Sequence, residues 1–136
     1  MSWQDSLVRI AEHEVEELRK RLVGILEAKA QAELKLVMLH AELEAENARA
    51  AQDAEYGLYR VGYMQGWRMR CEAAQAGIAE VEAEEAGCRD ALSVAFENLK
   101  KYEHVAETAL AAATKERARR DGQALDEMGQ RMAARK

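Results

Sequence analysis

The sequence predicts an all-α protein, an antiparallel two-helix coiled-coil hairpin with a protruding C-terminal helical tail. Three observations lead there. Proline is absent from all 136 residues, so nothing forces a helix to kink. Apolar residues recur at alternating steps of three and four along two long stretches. Between the stretches lies a segment with three of the eight glycines and three of the four tyrosines. A mean spacing of 3.5 residues keeps one narrow stripe on one side of a helix, the pattern of a coiled-coil seam.

Helix one is expected over about residues 3–56. Ser2 followed by Asp5 resembles a capping box, with Asp in place of the usual Glu or Gln, and sets the start near Trp3. The seam runs Val8, Ala11, Val15, Leu18, Leu22, Ile25, Lys29, Ala32, Leu36, Leu39 and Leu43, apolar at all but Lys29. It loosens through Ala48, Ala50, Ala51 and Ala54. The turn is expected at about 57–66, because glycine lets a chain reverse. Helix two is expected over about 67–120. Its seam is Trp67, Cys71, Ala74, Ile78, Val81, Glu85, Cys88, Leu92, Ala95, Leu99, Tyr102, Ala106, Ala109 and Ala113, with Glu85 the one charged member. Beyond Ala113 the stripe dissolves into Thr114, Glu116, Arg117, Arg119 and Arg120, then returns briefly at Leu125, Met128 and Met132. That stretch is expected to be a frayed helical tail reaching residue 136.

A turn centred on Gly62 brings every seam residue of helix one from Ala11 to Leu43 level with a seam residue of helix two. Leu43 then meets Val81, Leu36 meets Cys88, Ile25 meets Leu99 and Leu18 meets Ala106, large often against small. This register leaves Lys29 over Ala95 and Glu85 over Leu39, with the lysine stem lying flat and its ammonium reaching water. A seven-residue shift keeps the same phase and moves the turn to residues 58–59. The glycine-rich window favours the Gly62 register.

Composition bounds the function. Charged residues make up 33% and aromatics 5%, which suits long helices rather than a thick core. The net charge of −5 argues against a nucleic-acid partner, which needs a basic face. Residues 114–136 reverse this, with seven bases against four acids. No run of about 18 apolar residues could span a membrane, and no secretory signal is visible. Cys71 and Cys88 lie about 25 Å apart along one helix, too far to pair within one chain. They are expected to be buried thiols in a reducing, cytoplasmic setting.

No enzyme site is visible, so no catalytic residue, cofactor or metal is assigned. His13 with Glu17 and His40 with Glu44 share helix faces, but neither pair brings a third ligand. The run Glu80, Glu82, Glu84, Glu85 reads as a solvated face. Three features are candidates for partner binding. Val23, Leu26, Leu34, Val37 and Met38 flank the first seam, as packing over it or as a docking stripe. Around the turn, Leu39, Tyr56, Tyr59, Tyr63, Met64 and Trp67 gather with Arg60, Arg68 and Arg70, the residue types that anchor interfaces. Trp67 is expected to close the hairpin end, and Tyr59 and Tyr63 to stay freer. Leu125, Met128 and Met132 in the basic tail suit an acidic groove or an anionic membrane surface.

The order and spacing of several short motifs resemble the FliJ family, the soluble stalk of the flagellar type III export apparatus. Glu12-His-Glu-Val-Glu16 followed by Leu18 and Leu22 is similar to the family's first-helix start. Gly57-Leu-Tyr-Arg60 to Gly66-Trp67 resembles its turn, and Ala91 to Glu103, with Leu99-Lys100-Lys101-Tyr102-Glu103, resembles its most specific stretch. Leu125-Asp126-Glu127 followed by Arg131 resembles its ending. The resemblance implies a non-catalytic antiparallel coiled coil. It also implies three partners, namely a hexameric flagellar export ATPase, the cytoplasmic domain of the membrane export gate, and export chaperones. The place implied is the cytoplasmic side of the cell membrane at the flagellar base, in the service of motility. Where the family's gate contact uses aromatics near the turn, this chain has Glu42, Glu46 and Ala73, and Asn98 stands where an acid is common. A related injectisome stalk and a generic dimerising coiled-coil scaffold are the other readings of the same pattern.

Overall fold

A computed structural model describes residues 2–53 and 55–135. Met1, Ala54 and Lys136 lie outside the described residues, and with them the last alanine of the loosened stretch and the final residue of the expected tail. The fold is all-α, with α1 at Trp3–Gln52 and α2 at Tyr56–Ala134. It divides into two compact units, Glu17–Leu92 and Met1–Glu16 with Ser93–Lys136.

The start of α1 follows the expected cap. The Asp5 amide donates to Ser2 Oγ at 3.2 Å, and the Ser2 hydroxyl donates to Asp5 Oδ2 at 2.9 Å. One orphan amide of the first turn is thereby met, and an acid sits at the positive helix end.

The turn is not where glycine suggested. α1 stops at Gln52 and α2 begins at Tyr56, so residues 57–66 are the opening turns of α2. Asp53 makes the reversal. Its own amide still donates to the Arg49 carbonyl at 3.2 Å, while its carboxylate Oδ1 accepts the Glu55 amide at 3.0 Å. A short carboxylate that meets local amides serves both as a helix stop and as a cap for the next helix. No described residue has a positive φ, the glycines at 57, 62 and 66 among them.

Moving the turn moves the register. Within Glu17–Leu92 the cross-helix contacts include the Cys88 thiol to the Leu18 carbonyl at 3.5 Å, Lys29 to Glu85 at 3.0 Å, Trp67 Nε1 to the Leu39 carbonyl at 2.6 Å, and Arg70 to Glu42 at 3.1 Å. These set Leu39 level with the neighbourhood of Cys71 rather than Glu85, about two heptads from the Gly62 register. The seam-to-seam phase is kept, because a heptad shift exchanges one seam residue for another. Lys29 does not lie over Ala95, nor Glu85 over Leu39. Each ion left alone on an apolar seam would lose hydration with nothing in return, and the observed register gives each a partner.

The seam residues themselves are as expected. Ile25, Cys71 and Cys88 are buried in Glu17–Leu92, and Ala11, Val15 and Ala95 in the other unit. Leu18, Leu22, Leu36, Leu39 and Leu43 are half-buried, with exposed positions between them. Both cysteines are free thiols. Ala113 is exposed, as is nearly all of α2 after Ala109, so the covered seam ends one layer earlier than the pattern predicted. α2 nevertheless continues as regular helix to Ala134 instead of ending near residue 120.

In the unit containing both chain ends, α2 contributes Ala95, Ala106 and Ala109 to the covered face. Small side chains bury less area per layer, so this arm opens first. Backbone amides at residues 99–109 should exchange with deuterium faster than those at 71–92. Slower exchange at 99–109 would refute the packing argument.

Glu85 holds the half-buried ionic cluster together. Arg89, one turn on, donates to it at 2.8 Å and holds its carboxyl below the usual 4.5, with Lys29 adding to the effect. Lys29 is raised above its usual 10.5, chiefly by the hydrogen bond to Glu85. A lowered carboxyl adds stability above its unfolded value and loses it as pH falls through the folded one. A raised lysine adds stability below its unfolded value and loses it as pH rises through the folded one. The cluster therefore supports the fold between about pH 5 and pH 10. Glu85→Gln should flatten the acid limb of a thermal-stability profile below that window. An unchanged acid limb would remove Glu85 as its source.

Candidate partner-binding surface

The aromatic group predicted around the turn is sorted by the observed register into side chains that staple the two helices and side chains left open. Trp67 is the main staple. Its indole N–H reaches the Leu39 carbonyl, and its ring meets His40 edge-on, with centroids 5.5 Å apart at 65°. Leu39 is thus half-buried against Trp67, and the expectation that Trp67 closes this end holds. Tyr56 donates to the Glu46 carboxylate while the Arg49 guanidinium lies 5.8 Å from its ring centroid, and Arg60 donates to Asn47. The Glu46 hydrogen bond is the main cause that raises the Tyr56 phenol above its usual 10.0.

Tyr63 is less free than expected. Arg70 sits 5.9 Å from its ring centroid while also pairing with Glu42, and the Tyr63 hydroxyl is enclosed with no hydrogen-bond partner among the described residues. Tyr59 is the open aromatic, 77% exposed, and Arg68 is also exposed. Sequence reasoning missed two open neighbours: Val61, because residues 57–66 read as a turn rather than as helix, and Met69, which lies off the seam at the start of the expected second helix. Once α2 starts at Tyr56, Tyr59 and Met69 fall on one helical face with Gly62 and Gly66 between them.

Two further surfaces lie within Glu17–Leu92. Val23, Leu34 and Val37 are 57%, 50% and 62% exposed, which settles the flank-packing alternative against them. They and Met38 form an open apolar stripe on α1. Beside this stripe, with Met38 shared between them, a groove of about 1050 Å³ runs between the helices, floored by Ala32, Ala73, Ala74 and Gly77 and rimmed by Lys35, Arg70 and Glu80. Its small side chains leave the space that larger seam residues would fill. Glu42 and Ala73, two of the positions without the expected aromatics, line it.

Leu125, Met128 and Met132 all lie exposed on α2 beyond the covered seam. Arg119 and Arg120 pair with Glu116 on the same helix, at 2.7 Å and 3.4 Å. The acidic run is solvated at Glu80, Glu82 and Glu84, but Glu85 turns into the seam. Among the described residues no three His, Cys, Asp or Glu side chains are grouped to hold a metal ion. No described helix is long and apolar enough to cross a membrane.

Two helices packed along an apolar seam define the class: an all-α coiled-coil protein. Comparison with known proteins gives the family. The chain is 47% identical over 132 residues to the flagellar FliJ proteins of two strains of Caulobacter vibrioides, NA1000 / CB15N and ATCC 19089 / CIP 103742 / CB 15, covering 97% of this chain and 95% of each relative. It belongs to the FliJ family. No family model and no solved structure matches it.

Proposed function

We propose that this chain is a non-catalytic stalk or adaptor of the bacterial flagellar protein export machinery. In this reading it works in the cytoplasm at the membrane base of the flagellum and engages the hexameric export ATPase. The membrane export gate's cytoplasmic domain, or export chaperones, bind elsewhere on it. The supporting observation is the near full-length match to flagellar FliJ proteins, joined to a two-helix fold whose large exposed apolar side chains lie on helix faces. The flagellar relatives favour this role over an injectisome stalk, and nothing on the fold favours a generic scaffold over either.

The uncovered end of α2 is assigned to the ATPase. It is helical, net basic, and carries Leu125, Met128 and Met132 at helical spacing. The end near the turn, with Tyr59, Arg68 and Met69 open, is assigned to the gate or a chaperone. Capture of the export ATPase from the same organism is the test. The intact chain should enrich it over a scrambled-seam control, and Leu125→Asp with Met128→Asp should weaken capture by about tenfold or more, since two apolar anchors are worth at least 1.4 kcal/mol. Equal recovery by all three would refute the assignment. For the other end, Tyr59→Ala should shrink swimming haloes in soft agar, and normal haloes would remove Tyr59 from any essential contact.

A further inference from the structure

We propose that the Glu17–Leu92 hairpin has more than one usable register, that α1 slides along α2 by whole heptads while the turn migrates into residues 57–66, and that the Lys29–Glu85 pair holds the chain out of the two-heptad arrangement. The inference rests on the hairpin alone and not on the partners assigned above.

Three observations carry it. First, the two seams stay in phase after a shift of one or two heptads. Leu36, now level with the neighbourhood of Ala74, would meet Val81 or Cys88, and apolar layers would again face apolar layers. Apolar packing thus discriminates weakly among the three arrangements.

Second, Gly57, Gly62 and Gly66 sit inside α2 with no local need for glycine. None has a positive φ, and a methyl group built on any of them meets nothing within 4 Å. Glycine inside a helix weakens it relative to alanine. Three weak points fall where the turn would lie after a shift, near residues 58–59 for one heptad and Gly62 for two. Residues leaving α2 there would be matched by residues joining α1, so little helix is lost.

Third, the polar pair sets the observed register apart from the two-heptad one. Lys29 and Glu85 are the only charged members of the two seams, their side chains are 29% and 15% exposed, and they meet at 3.0 Å. After one heptad Lys29 would face Cys88 and Glu85 would face Ala32. After two, they would face Ala95 and Leu39. In the observed register Lys29 lies about four residues from level with Glu85 and after one heptad about three, so the pair can meet in both, whereas after two heptads about ten residues part them; Arg89, on the same helix, keeps Glu85 at 2.8 Å throughout. A single polar layer that fixes the alignment of an otherwise permissive seam is an established use of buried charge. Each heptad step carries one helix about 10 Å along the other, a displacement large enough to pass from one end of the hairpin toward the other.

The native thiols report the registers. With a short thiol cross-linker, Leu39→Cys joins Cys71 in the observed register, Glu46→Cys joins Cys71 one heptad away, and Leu36→Cys joins Cys88 two heptads away. In the otherwise native chain the first link should dominate. Replacing both Lys29 and Glu85 by leucine should raise the third link by at least about fivefold, a modest population shift. Adding Gly57→Ala, Gly62→Ala and Gly66→Ala should reverse that rise. If the leucine pair proves insoluble, Lys29→Gln with Glu85→Gln tests the same point. A Leu36→Cys link that fails to rise in either unlocked pair would overturn the proposal.

Discussion

Replacing Ile25 by alanine should destabilise the protein by about 2–4 kcal/mol in chemical denaturation. Ile25 is 7% exposed and is the most deeply buried aliphatic side chain in Glu17–Leu92. Truncation removes three carbons from a seam only one layer deep. The loss combines forfeited transfer energy with the gap left between two rigid helices, which cannot close over it without shifting the layers on either side. Val23, two residues earlier, supplies the contrast. It is 57% exposed, so Val23→Ala should change stability by no more than about 0.5 kcal/mol. Similar losses at both positions would mean that the outer stripe is covered and the seam is misassigned.

The second large effect is expected at Trp67. Alanine there should cost about 2–3 kcal/mol, below the range for a fully buried tryptophan because the ring is only half-covered. Phenylalanine separates the causes. It keeps most of the ring packing against His40 but loses the N–H to the Leu39 carbonyl, and should cost about 1 kcal/mol. Trp3, 65% exposed at the first turn of α1, should tolerate alanine within about 0.5 kcal/mol. Because Trp67 joins α1 and α2 close to the reversal, its loss should also speed exchange of the Tyr56–Arg70 amides more than those around Cys88. Uniform acceleration would instead make Trp67 an ordinary contributor to global stability.

The seams were legible because a 3.5-residue repeat leaves no other face to bury. From Ala11 to Leu43 and from Trp67 to Ala109, each residue assigned to the stripe is the covered one. The register was not legible from apolar residues, for the same reason that the seams were. A heptad repeat looks alike after any heptad shift, and Lys29 with Glu85 speaks only against the Gly62 register, where about ten residues part them from level. Treating two opposite charges as independent surface-reaching side chains discarded that signal. The turn was missed because glycine was weighed above aspartate. Asp53, flanked by Gln52 and Ala54, needed only its carboxylate to stop one helix and cap the next, whereas the three glycines lie in regular helix.

The candidate surface was legible in part. Trp67 was read correctly as the closing residue, and Tyr59 as open. Tyr63 was not, because its burial depends on Arg70 reaching over the ring from two turns later while gripping Glu42 across the seam, a relation fixed only once the register is known. Val61 became a surface candidate only once residues 57–66 proved to be helix. The tail was legible, since Leu125, Met128 and Met132 lie exposed and the expected helix runs on to Ala134, regular rather than frayed. With no proline and several i,i+3 and i,i+4 pairs such as Glu116 with Arg119 and Arg120, nothing in the tail interrupts the helix.

The fold-back at residues 53–55, and the register it sets, is tested most directly by a distance between spin labels. Ala41 and Met69 are both exposed and off the seam, and labels there, with Cys71 and Cys88 changed to alanine, leave the packing layers almost untouched. Pulsed electron resonance should give one short dominant distance that survives dilution with unlabelled chain. A dominant distance longer by about 20 Å along the axis, as a reversal at Gly62 requires, or a signal that fades on dilution, would contradict the alignment described above.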